Sequence, residues 1–148
     1  MSRICKRDDM TIVTESIQIR SRAENDKIDI TRSISKAVEE TKIKYGIVTV
    51  FIAGSTAAVI TIEYEPGLKI DFPNMLSRIA PKNLEYEHDK TWHDGNGHSH
   101  IRASLVGPSL TIPFKDGRLL LGTWQQIVIL ELDIRQRERK IILQIMGE

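Results

Sequence analysis

The sequence predicts an α+β fold: a single compact domain, two helices packed on a largely antiparallel sheet of about seven strands. Three observations predict it. Short, β-branched apolar runs recur along the chain, most clearly at 47–53 (IVTVFIA) and 125–133 (QQIVILELD). Asp116-Gly117, set between two further runs, is a two-residue hairpin signal. Only two stretches place apolar residues at helical spacing between start and stop signals.

The elements follow in order. Residues 10–20 read as a strand carrying Ile12, Ile17 and Ile19, with an alternation that slips around Ser16. Asp29 or Thr31 caps a helix whose apolar face is Ile30, Ile34, Ala37, Val38 and Thr41, and Gly46 is the expected stop. Strands at 47–53 and 57–65 surround Gly54-Ser55. Asp71, with Pro73 in the first turn, opens a second helix bearing Phe72, Met75, Leu76 and Ile79, and Pro81 closes it. From Lys82 to Ser99 there is no apolar periodicity, and a long loop is expected. The remainder reads as strands at 100–106, 109–114, 118–122, 125–133 and 140–146. No repeat, low-complexity segment or linker interrupts the chain, so residues 1–148 are read as one domain.

Composition narrows the function classes. A net charge of +1 and the lack of a basic-aromatic stripe argue against nucleic acid. The single cysteine, Cys5, sits beside Arg3, Lys6 and Arg7 and reads as a free terminal thiol, in keeping with a reducing compartment. Neither an apolar signal region nor a run of the ~20 residues needed to span a bilayer is present. A soluble cytoplasmic protein is expected.

The chemistry concentrates in one window. All four histidines, His88, His93, His98 and His100, lie between positions 88 and 100, interleaved with Asp89, Asp94, Asn96 and two glycines. Imidazole titrates near neutral pH and is the commonest metal ligand, so the window is a candidate metal or acid–base site. In each His-Asp pair the aspartate either ligates a metal or accepts a hydrogen bond from a ligating ring. If His98 and His100 lie in a strand, they point the same way. Glu63, near the end of a strand, is a candidate for a pocket rim. Arg135, Arg137 and Arg139, spaced by two, have a geometry suited to phosphate, but a solvated hairpin tip is the favoured reading.

Several segments together identify a resemblance. Ser55-Thr-Ala-Ala58, Glu63, Tyr86-Glu-His-Asp89 and Asn96-Gly-His-Ser-His100-Ile-Arg-Ala-Ser104 lead into LVGPSLTIPFKDGRLLLGTWQQIVILELD at 105–133. With Gly147-Glu148 at the end, this order resembles the YjbQ-like family along nearly the whole chain. The resemblance implies a homotrimer and the family label of secondary thiamine-phosphate synthase. It implies Glu63, His88, Asn96 and His100 as catalytic positions and His88, Asp89 and His100 as ligands of a divalent metal, with His98, a local addition to the pattern, as a further candidate ligand. Thr56, Arg102, Thr123 and Gln125 are the ligand-binding positions expected beside them, Thr123 and Gln125 within the matching Gly122-Thr-Trp-Gln125 motif. The chain departs from the family pattern at Gly54, where most members have histidine, at Ile62, where asparagine is usual, and around Ile134, where Gly-Pro is missing.

Thiamine-phosphate synthesis expels pyrophosphate and needs cations to stabilise the departing charge. The chain has no phosphate-binding Gly-rich loop, and its histidines suit Zn²⁺ better than Mg²⁺. The expected function is a weak thiamine-phosphate synthase or another metal-assisted enzyme acting on a small phosphorylated substrate through a His/Asp/Glu pocket. The alternative is a non-catalytic trimeric module binding a phosphorylated small molecule through Arg102, Arg118 or Arg135.

Overall fold

A computed structural model describes residues 10–148. Cys5 and its basic neighbours lie outside the described residues. The chain runs β1 (Thr11–Arg20), β2 (Lys27–Asp29), α1 (Thr31–Thr41), β3 (Tyr45–Ala53), β4 (Ala57–Ile62) and α2 (Leu68–Ile79). It continues through α3 (Glu87–Trp92), α4 (Gly97–Val106), β5 (Ser109–Lys115), β6 (Arg118–Leu119), β7 (Gln126–Glu131) and β8 (Glu138–Gly147). The α+β class and antiparallel pairing hold. The strands divide, however, into one sheet of order β1-β8-β3-β5-β6 and another of order β2-β7-β4. Four helices, not two, cover them.

Gly54-Ser55-Thr56 makes the division: it ends β3 in the first sheet and starts β4 in the second. Between the sheets lies the larger core. Ile34 and Val38 of α1 meet Val48, Val50 and Ile52 of β3, Ile127 and Ile129 of β7, and Ile141, Leu143 and Ile145 of β8. The opposite face of β7, with Val128 and Leu130, packs with Leu76 of α2 and Ala103 of α4. A strand covered on both faces has no polar side to alternate with, which explains its nearly continuous apolar run.

Local chemistry sets the element ends. Asp29 Oδ1 accepts hydrogen bonds from the Thr31 N–H (2.9 Å) and the Thr31 hydroxyl (2.6 Å). The Thr31 hydroxyl in turn accepts from Ile127 N–H at 2.8 Å, tying the start of α1 to β7. The helix stops at Lys42 in a left-handed conformation, not at Gly46. Gly46 belongs to β3, opposite Gly147 of β8. Helix α2 starts three residues before Asp71 because the Glu65 carboxylate accepts the N–H groups of Gly67 and Leu68. Pro73 is consequently inside the helix, past its first turn. The Asp116-Gly117 hairpin forms as expected, pairing Lys115 with Arg118 and Phe114 with Leu119.

The largest correction concerns 82–106. The expected loop contains α3, and the expected strand at 100–106 is part of α4. Asp89 Oδ1 accepts the Gly97 N–H at 2.8 Å, so one turn of α3 caps the first turn of α4. No helix among the described residues is long and apolar enough to cross a membrane.

Candidate active site

Where the intersheet core ends, the chain buries charge. Glu131 continues the inward face of β7 beyond Ile129 and is fully buried. Arg139, on the inward face of β8, meets it with Nε on Oε2 at 2.8 Å and Nη2 on Oε1. The Ser21 hydroxyl (2.8 Å) and the Asp133 N–H (2.9 Å) satisfy the remaining acceptor capacity of Glu131. Arg139 Nη2 also donates to the Thr56 hydroxyl at 2.9 Å, and that hydroxyl donates to Asp133 Oδ2, again at 2.9 Å. Arg137 Nε completes the array on Asp133 Oδ2 at 3.0 Å. Burial alone would raise the Asp133 pKa. The hydrogen bonds from Thr56, the Arg135 backbone and Arg137 outweigh it and hold the carboxyl below its usual range. Of the three arginines expected at a solvated tip, only Arg135 keeps that role; Arg139 is buried and Arg137 is half bound.

A polar cleft of about 500 Å³ opens over this array. Gly54, Ser55 and Thr56 form one wall, Asp133, Arg137, Glu138 and Arg139 the floor, and Trp92, Asp94, Asn96 and the His88–His100 pair the other wall. The rings of His88 and His100 lie 4.3 Å apart between centroids, tilted by 44°. Asn96 is buried between them and Asp94. With its amide nitrogen turned to these acceptors, it donates to His88 Nε2 at 3.1 Å and to Asp94 Oδ1 at 3.0 Å. Accepting at Nε2 leaves the proton of neutral His88 on Nδ1, a tautomer assigned from the hydrogen bonding.

Burial, and then the neighbouring His88, pull the His100 pKa below its ordinary value, against the weaker opposing pull of Asp94, Asp133 and Asp89. His100 is thus a neutral ring at pH 7, able to accept a proton. A base with a depressed folded pKa contributes stability that is present above the unfolded pKa of about 6.5 and is lost as pH falls through the folded value. We expect an NMR titration of the rings to place the His100 midpoint below that reference, and His88→Ala to move it upward. An identical midpoint in the variant would contradict the ring–ring coupling.

The structure brings Thr56, His88, Asn96 and His100 together and separates the other sequence candidates from them. Asp89 is turned away to cap α4. His93 ends α3 in a left-handed conformation, exposed. His98 does not share a strand face with His100; its position on α4 buries it completely, with Nε2 3.0 Å from Glu24 Oε1. Arg102 is also buried beneath α4, donating to the Ala80 carbonyl (3.0 Å) and to Glu24 Oε1 (3.2 Å), so it binds no ligand in the cleft. Glu63 lies beyond the far end of β4 from Thr56, roughly 20 Å along the strand, and is exposed. Gln125 is at that same end, its amide donating to the Thr61 hydroxyl at 3.2 Å, and Thr123 is exposed nearby.

For a metal, His88 and His100 supply two imidazoles. Among the described residues no group of three or more His, Cys, Asp or Glu side chains has the geometry to hold an ion. The single-chain donor set therefore does not fit the expected zinc or magnesium.

Sequence reasoning missed Glu24, Glu131 and Asp133. A signal for the last two was present: carboxylates at 131 and 133 and arginines at 137 and 139 repeat the same spacing of two across a turn, as complementary charges on facing strands do.

A domain of two antiparallel sheets whose polar cleft joins a histidine pair to a buried ion-pair array is thus the class the fold and site define. A family profile described as "UPF0047 protein YjbQ-like" matches residues 15–148. A UPF0047 protein of Methanocaldococcus jannaschii is 39% identical over 132 residues, covering 88% of this chain and 92% of its own. The UPF0047 protein YugU of Bacillus subtilis is 32% identical, covering 90% of this chain and 98% of its own. A crystal structure from Sulfolobus solfataricus, described as a YbjQ-like protein of unknown function, superposes with a TM-score of 0.87 at 34% identity, covering 95% of this chain and all of that one. The chain belongs to the YjbQ-like UPF0047 family.

Proposed function

We propose that the cleft binds a small phosphorylated molecule and that His88 and His100 perform acid–base chemistry on it. The observation that carries this is the His88–His100 contact at 4.3 Å, with His100 held neutral and His88 oriented by Asn96 over an arginine-lined floor. His100 accepts a proton, and the Asp94 carboxylate, 3.4 Å from His88 Nε2, lies beside the ring pair where that charge forms. Trp92, 70% exposed at the rim, offers an aromatic face to a ligand ring. Thiamine-phosphate synthesis suits the cleft less well, because the charges of Arg137 and Arg139 are balanced by Asp133 and Glu131, which leaves single donors for a phosphoryl oxygen but no free cation for a departing pyrophosphate. The three arginines of the binding-module alternative do not converge: Arg102 is buried with Glu24, Arg118 is in β6 and Arg135 lies in the turn before β8.

The resemblance to a trimeric family bears on Glu63. Within one chain Glu63 is remote from the cleft, so in this reading it joins His88 and His100 only across a subunit boundary. Exposed apolar residues on the outer face of the first sheet, including Ile12, Ile47 and Phe51, are consistent with association of copies.

The test is turnover of a panel of phosphorylated amines, alcohols and heterocycles, followed by ³¹P NMR. Wild-type protein is expected to convert at least one, and His88→Ala combined with His100→Ala to lower the rate by about 10²-fold or more. A compound that raises the melting temperature without being converted would return the non-catalytic alternative. If no compound is bound or converted, the reading fails.

A further inference from the structure

Arg139 has a donor that the protein does not use. The residue is 6% exposed. Nε and Nη2 serve Glu131 and Thr56, but Nη1 makes no hydrogen bond among the described residues. Nη1 keeps contact with solvent, and an unpaired guanidinium nitrogen there finds its acceptor in water or in a ligand. Its surroundings show where the acceptor belongs. A Cβ placed on Gly54 would lie 2.9 Å from Nη1 and within 4 Å of nothing else. The missing side chain of Gly54 therefore leaves Nη1 uncovered toward the cleft that both residues line. Gly54 also holds φ at +147°, a backbone conformation that residues with a Cβ rarely adopt.

We propose that Nη1, left uncovered by Gly54, is the anchor of an oxyanion subsite, in which one oxygen of a carboxylate or phosphoryl group docks on it from the cleft with Ser55 beside it. Only a single guanidinium nitrogen is free, so recognition is of one oxygen and not of a forked pair. The Glu131 side of the guanidinium is locked by two hydrogen bonds, which aims Nη1 before any ligand arrives. The ligand's anionic end therefore sits at Gly54, and the rest of it extends across the cleft toward His88 and His100. The inference rests on the reading of the cleft as a ligand site and adds which atom holds the charge.

The experiment titrates full-length protein with inorganic phosphate and, separately, with acetate, following the Ser55 and Gly54 amide signals by NMR. Saturable binding is expected for at least one anion, the stronger of the two identifying a phosphoryl or a carboxylate ligand. Gly54→Ala, whose methyl group would cover Nη1, and Arg139→Lys, which keeps a cation for Glu131 but removes Nη1, should each weaken binding by about tenfold or more. The remaining amide spectrum reports whether each variant is folded, and the conclusion is drawn from whichever one is. The subsite is overturned if neither anion saturates, if the folded variants bind like wild type, or if only Arg137→Gln weakens binding. Unchanged anion binding in Gly54→Ala alongside lost turnover in the His88/His100 double variant removes the subsite and leaves the acid–base reading intact.

Discussion

Arg139→Leu is expected to lower the stability of the fold by about 3–5 kcal/mol, measured by urea denaturation at pH 7. The reason is the partner left behind. Glu131 is fully buried, and only the Ser21 hydroxyl and the Asp133 N–H would remain to hold its charge. Replacing both residues, Glu131→Leu with Arg139→Leu, should recover most of the loss, because an apolar pair needs no compensating charge. A loss below about 1 kcal/mol for the single variant would mean that water reaches Glu131 and that the array is not sealed.

Gly46→Ala should cost about 3 kcal/mol, at the upper end for overpacking, although it adds one methyl group. Gly46 of β3 and Gly147 of β8 face each other across the ladder. A Cβ on Gly46 would fall 2.0 Å from the Met146 carbonyl oxygen and 2.8 Å from the Phe114 ring. The oxygen is backbone, so the contact is relieved only by moving β3 away from β8. Gly147→Ala meets the Tyr45 carbonyl at the same 2.0 Å and should behave alike. Thermal melting of both variants checks this; a change of under about 1 kcal/mol in either would show that the strands separate more easily than their close approach implies.

Gly46 also shows where sequence patterns mislead. Placed just after an amphipathic run, it reads as a helix stop, and only its partner at 147 reveals the close approach it serves. Strand runs and the Asp116-Gly117 turn were legible because apolar burial and turn chemistry leave local traces. Helix α4 was not, and the cause is specific. Its buried residues include His98, Ser99, Arg102 and Ala103, with Val106 partly covered, which is helical spacing. Three of these are polar, so the apolar residues left are Ile101, Ala103, Leu105 and Val106, and the first three alternate as a strand would. Glu24, which pairs with both His98 and Arg102, lies more than seventy positions earlier, beyond the reach of any local pattern. In the site, His88, Asn96, His100 and Thr56 were identified through the resemblance, and their convergence follows from the α3–α4 cap. The buried Glu131 is easily passed over because a charged residue at the end of a strand usually faces water, and only its spacing against Arg137 and Arg139 marks it.

The position of β8 has a consequence for how the protein reaches this structure. In the larger sheet β8 lies between β1 and β3, and neither of those strands pairs with the other. Thr11 meets Gly147, at nearly the full span of the chain. The sheet therefore cannot zip outward from a local hairpin through its centre, and loops must close before its principal ladder forms. Arg139 is carried on that same strand. Until β8 is inserted, Glu131 stays open to water and the cleft lacks its floor. The strand that completes the sheet is thus also the one that completes the Glu131–Arg139 pair, so chains in which β8 is not yet placed should lack both that pair and the floor of the cleft.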